Sequence, residues 1–130
     1  MACLETTFLI DLMRGKQAVV SLMKELERVE GHLSIAVPSI MELWRGACLK
    51  VSAKEKEQVN QLLESMEVIH SLDPQSAKEA GEIEAELRRK GITIETEDIM
   101  IAGIARSNRE KLVTRDQHFA QVDGLNLLKY

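Results

Sequence analysis

The sequence predicts an α/β fold in which a mostly parallel sheet carries helices on both faces. Short apolar runs alternate with longer amphipathic segments from one end of the chain to the other. Turn and cap residues punctuate the junctions. One late segment, Thr96–Ser107, is apolar around most of its circumference, as expected of a helix packed deeply against a sheet.

Ala2–Glu5 (ACLE) predicts a first strand, followed by a helix from about Thr7 to Met13 that Arg14-Gly15 breaks. Gln17–Val29 predicts a second helix, with Val20, Leu22, Met23, Leu26 and Val29 at helical spacing. Leu33–Val37 (LSIAV) is a strand. Pro38 and Ser39 open a helix carrying Met41, Leu43 and Trp44, with Ser39-x-x-Glu42 as a capping box. Ser52-x-x-Glu55 opens the next helix, to about Ser65. Val68–His70 is a small strand, and Asp73 caps a helix that starts at Pro74, runs to Lys90 and ends at Gly91. Lys111–Thr114 (KLVT) and Leu125–Leu128 (LNLL) predict the last strands.

The 130 residues suit one domain, and 45% apolar against 29% charged residues is a folded composition. Aromatics make up only 3%, so aliphatic side chains must build the core. No apolar run approaches the roughly 18 residues that span a bilayer, so no membrane association is expected. The N-terminus lacks a signal-peptide pattern, and a cytoplasmic location is expected. Cys3 and Cys48, far apart and in no CxxC pattern, are expected to be small buried hydrophobes in a reducing compartment. The net charge of −4 argues against general phosphate binding unless a cation and a few local arginines reverse the sign at one place.

In parallel α/β folds, ligands gather outside the carboxyl ends of the strands. Four acids sit there. Glu5 ends the first strand, Glu42 and Asp98 lie in the first turns of helices, and Asp116 follows KLVT. Singly, Glu42 reads as a cap, Asp98 as a helix-dipole partner and Asp116 as a turn residue. Glu5 is harder to dismiss, because a carboxylate ending a buried strand is costly unless paired. Together they would repel one another, and a hard divalent cation such as Mg²⁺ or Mn²⁺ would relieve that repulsion.

Read with their neighbours, these segments resemble the PIN-domain family, specifically VapC-type toxins. MACLETTFLIDLMRG resembles the opening of those toxins, SIAVPSIMELWRG the second acidic segment, IETEDIMIAGIA the third, and KLVTRDQHFAQVDGLNLLKY the C-terminal segment. The resemblance implies a three-layer α/β/α sandwich and Mg²⁺- or Mn²⁺-dependent cleavage of RNA. It also implies a homodimer and inhibition by an antitoxin in a type II toxin–antitoxin system. Carried over by position, Glu5, Glu42, Asp98 and Asp116 form the catalytic set, with Glu5, Asp98 and Asp116 as metal residues. Glu5 and Asp98 would ligate directly, while Glu42 and Asp116 would act through water or orient the attacking water. Thr6 and Thr114 would support them by hydrogen bonding.

Arg14, Arg45 and Arg115, beside the acidic segments, could grip RNA phosphates or pair with the carboxylates. His118 is expected as an exposed structural residue, and Trp44 as a core or dimer-interface residue. The departure from the family is Glu5, where Asp is usual. A ~1 Å displacement of a catalytic group can cost about 10²-fold in rate. Two readings therefore stay open, an active ribonuclease and a weakened PIN domain that binds RNA or protein without cutting. A signalling receiver domain also gathers acids around Mg²⁺, but Asp73 is better explained as a cap and a lysine ending a later strand is missing.

Overall fold

Side-chain alternation along the first strand divides the core in two. Cys3 faces one apolar cluster while Ala2 and Leu4 face the other. The computed structural model, which describes residues 1–130, places helices over both clusters. In chain order the elements are β1 (Ala2–Leu4), α1 (Thr6–Met13), α2 (Gln17–Glu30), β2 (Leu33–Ala36), α3 (Val37–Leu49), α4 (Ala53–Ser65), β3 (Val68–His70), α5 (Pro74–Arg89), α6 (Thr96–Ser107), β4 (Lys111–Thr114) and β5 (Leu127–Lys129). A short 3-10 turn, Gln117–Gln121, lies between the last two strands.

The sheet order is β3-β2-β1-β4-β5, and every neighbouring pair is parallel. The chain winds from β1 outward to β3, then returns to the other side of β1 with β4. The junction of β1 and β4 is thus the point where the strand order reverses, and their carboxyl ends flank a crevice. One face of the sheet packs against α5 and α6 through Ile83, Leu87, Ile101 and Ile104. The opposite face packs against α1 to α4 through Phe8, Leu26, Leu43 and Val59. The fold is the expected α/β/α sandwich.

Helix α6 is as deeply packed as its composition implies, with Ile99, Ile101, Ala102, Gly103, Ile104 and Ala105 buried. Its closest neighbour is α5, and Gly103 makes the approach possible. A Cβ there would lie 2.8 Å from the Ala80 Cβ and from the Ser76 carbonyl oxygen. Helix α5 starts in a true capping box, in which Asp73 accepts from Ser76 N and Ser76 Oγ accepts from Asp73 N.

Three expectations need correction. Helix α3 begins at Val37, not at Pro38–Ser39, because Pro38 fits the first turn and Ala36 already serves as N-cap. Ser39 is therefore a fully buried residue inside the helix and no capping box forms with Glu42. Cys48 is exposed on α3, while Cys3 alone is buried. Burial pushes the Cys3 thiol up to about 12, which leaves it unreactive. Strand β5 (Leu127–Lys129) starts two residues later and ends one residue later than LNLL suggested, in register with β4 through Leu127 and Leu128.

Below α5 and α6 the core also holds a polar group that the sequence reading passed over. Glu110, 1% exposed, accepts a hydrogen bond from Ser34 Oγ and lies 3.1 Å from His70 Nε2. No buried side-chain nitrogen or oxygen in the protein lacks a partner.

Candidate metal centre

Strand β1 ends at Leu4, so Glu5 is the first residue past the sheet and the N-cap of α1. It is 2% exposed. Its Oε2 accepts from Thr7 N at 2.9 Å, from Thr7 Oγ1 and from Thr114 Oγ1 at 2.7 Å. These donors answer the cost of burying a carboxylate at a strand end. They occupy one oxygen, and Oε1 has none of them.

The other acids arrive from three directions. Glu42, on α3, is held by Thr6, whose Oγ1 donates to Glu42 Oε1 at 2.8 Å and lies 3.0 Å from Ser39 Oγ. Asp98 sits in the first turn of α6. Asp116 follows β4 and caps the 3-10 turn, accepting from His118 N at 2.9 Å while its own backbone N–H donates to Thr114 Oγ1 at 2.9 Å. Thr6 and Thr114 thus steady Glu42 and Glu5 respectively, and Thr114 also links Glu5 to Asp116.

The electrostatics tie Asp98 to this group. Burial first, and then the charges of Glu42, Glu5 and Asp116, push its carboxyl up to about 7. Glu42 is also raised, by burial and by Glu5, against the hydrogen bond from Thr6 that lowers it. Four carboxylates therefore share one field at the carboxyl end of the sheet. Their hard oxygens fit Mg²⁺ or Mn²⁺, and a cation would offset the repulsion that Asp98 registers. The set is not a closed cage, since no three His, Cys, Asp or Glu side chains lie close enough together to hold an ion as they stand. Magnesium keeps several waters in such sites, so an open set of acids is compatible with it.

Nor do the four acids line one cavity. A groove of about 410 Å³ takes in Asp98 and His118 together with Arg88, Ile92 and Ile94. A smaller recess of about 110 Å³ takes in Glu42 with Arg14, Lys50 and Gln58.

The arginines divide. Arg14 is exposed beside the recess at Glu42. Arg45 pairs with Glu97 at 3.4 Å. Arg115 is anchored on Asp11, its Nε donating to Oδ2 at 2.7 Å. His118 is exposed and pairs with Asp116 at 2.9 Å. Trp44 is 38% exposed, with Lys56 Nζ 5.7 Å from its ring centre. Asp11 lies well into α1, and two of its partners, Arg115 and Tyr130, come from the far end of the chain.

Comparison with known proteins follows the same lines. The sequence matches the model of the PIN domain over residues 2–125. No protein of curated function matches it. Among solved structures, VapBC2 from Rickettsia felis, bound to a DNA fragment from its promoter, superposes with a TM-score of 0.87 at 21% identity, covering 99% of this chain and 98% of that one. DNA-bound VapBC from Salmonella typhimurium gives 0.84 at 27% identity, again covering 99% and 98%. VapC20 from Mycobacterium tuberculosis, described as a sarcin–ricin loop cleaving toxin, gives 0.70 at 14% identity over 92% of this chain and 93% of that one. With its parallel five-stranded sheet and its match over nearly the whole sequence, the chain belongs to the PIN domain family.

Proposed function

We propose that this protein is a Mg²⁺- or Mn²⁺-dependent endoribonuclease and the toxin of a VapBC-like toxin–antitoxin pair. The observation that carries the reading is the gathering of Glu5, Glu42 and Asp116 around the half-buried Asp98, whose carboxyl burial first, and then their charges, raise to about 7. Such crowding is destabilising unless a cation relieves it, and sites of this kind are where functional groups concentrate. Glu5 and Asp98 would hold the ion directly. Asp116 and Glu42 would hold it through water or orient the water that attacks the phosphodiester. Thr114 and Thr6 keep Glu5 and Glu42 in place. A bound divalent ion supplies the charge that activates water and offsets the negative charge building on the phosphate. Arg14, which lines the recess with Glu42, and Arg45, beside Glu97, would contact the RNA phosphates.

The family and the VapBC neighbours support a cognate antitoxin as partner. No helix is long and apolar enough to cross a membrane, and a cytoplasmic location accords with the toxin reading. Self-association is supported by exposed apolar side chains that cluster by the start of α3. Val37, Met41 and Leu72, 39–50% exposed, line one recess with Met100.

The test is RNA cleavage by the purified protein with Mn²⁺. Cleavage that stops with a chelator and falls sharply in Asp98→Asn is expected, whereas cleavage indifferent to both would remove the metal mechanism. One observation favours the weakened, non-cutting reading, namely that three donors already occupy Glu5 Oε2. Glu5→Asp separates the two. Strongly increased cleavage would mark the natural protein as weakened, and robust wild-type cleavage unchanged by the substitution would count against that reading.

A further inference from the structure

Asp11 lies on α1, six residues after Glu5, and is 1% exposed. Three segments converge on it. Arg115 donates from Nε to Oδ2 at 2.7 Å and from Nη2 to Oδ1 at 3.4 Å. Lys16 Nζ lies 2.9 Å from Oδ1, and Tyr130 Oη donates to Oδ2 at 2.8 Å. Tyr130 in turn packs edge-on against Phe8, ring centres 5.3 Å apart. Arg115 is the residue between Thr114 and Asp116, and its backbone N–H donates to Thr7 Oγ1 at 3.3 Å. Its guanidinium is also within electrostatic reach of Glu5. Released from Asp11, a flexible cation of that reach would be free to turn toward the acids and compete with a metal ion.

We propose that Asp11 is a positioning residue for the metal centre. By anchoring Arg115 it fixes the turn that carries Thr114 and Asp116 and holds the guanidinium on α1. The inference rests on the metal-dependent reading above. Of the two roles open to Arg115, phosphate contact and carboxylate pairing, it assigns the second, as a structural link between α1 and β4. Residues that orient metal ligands typically change metal affinity about 10–100-fold when removed.

The experiment titrates the full chain with Mn²⁺ by calorimetry and measures kcat and KM on an RNA oligonucleotide, for wild type, Asp11→Asn, Arg115→Ala, the double variant and Tyr130→Phe. Asp11→Asn and Arg115→Ala should each weaken Mn²⁺ binding about tenfold and lower kcat with KM unmoved. The double variant should be no worse than either single one, because both substitutions remove the same link. Tyr130→Phe removes a donor but leaves Arg115 anchored, so it should lower thermal stability and leave Mn²⁺ affinity unchanged. Should Asp11→Asn fail to fold, Arg115→Ala, whose side chain is 44% exposed, carries the test. Wild-type affinity in both single variants would overturn the proposal. So would multiplicative losses in the double variant, or a raised KM with unchanged kcat in Arg115→Ala. A wild-type protein that takes up no Mn²⁺ would overturn the underlying metal reading and this inference with it.

Discussion

Thr114 donates a hydrogen bond to Glu5 at 2.7 Å, although 109 positions separate the two residues in sequence. The contact crosses from β4 to the end of β1, the point where the strand order reverses. Because the same Thr114 hydroxyl accepts from Asp116 N, a single side chain joins the first and last acids of the site.

Thr114→Val, which keeps the shape and removes both hydrogen bonds, should leave the buried Glu5 carboxylate short of one donor. A hydrogen bond to a charged group is worth about 1.5–3 kcal/mol. A loss of that size in urea denaturation is expected, and an unchanged midpoint would mean the hydroxyl does not hold Glu5.

Asp98 should make the metal-free protein less stable at neutral pH than at acid pH. Its carboxyl is raised from 3.8 to about 7, by burial and then by Glu42, Glu5 and Asp116. A raised folded-state value favours the protonated form. Its stabilisation is present below 3.8 and lost as pH rises through about 7. In metal-free protein Asp98→Asn should therefore raise Tm relative to wild type more at pH 8 than at pH 5. An equal difference at both pH values would contradict the shift.

Gly103→Ala should destabilise the protein, because the new methyl would meet backbone and side-chain atoms of α5 at 2.8 Å. Overpacking of this kind costs about 1–3 kcal/mol. Chemical denaturation measures it, and a neutral result would show that α5 and α6 can part without cost.

Met41→Glu should convert any dimer to monomer in sedimentation. Met41 is 50% exposed beside Val37 and Leu72, and a charge in an apolar contact is costly. A dimer that survives the substitution would place the self-association surface elsewhere.

Much of this fold was legible in the residues. Thr96–Ser107, Lys111–Thr114 and Val68–His70 have the bounds their patterns imply, because apolar periodicity and turn residues report local structure directly. Helix α3 was set too late. Ser39-x-x-Glu42 has the form of a cap, but the chain turns helical directly off β2 and both residues point toward Thr6 instead. The 3-10 turn after Asp116 had no periodic signal at five residues. The positions of the acids at strand and helix ends were readable. What holds them was not, since Thr114 meets Glu5, and Arg115 and Tyr130 meet Asp11, only after the sheet has assembled. Glu110 was overlooked for the same reason, its partners Ser34 and His70 coming from two other strands.

The most direct test of the central claim is a Mn²⁺ titration of the purified protein by calorimetry at pH 8, beside Asp98→Asn, repeated at pH 6. Wild type should bind at pH 8 and more weakly at pH 6, where protons compete for Asp98, and Asp98→Asn should lose most of the binding at both. Equal binding by the two proteins, or none by wild type, would contradict a cation site built from these four carboxylates.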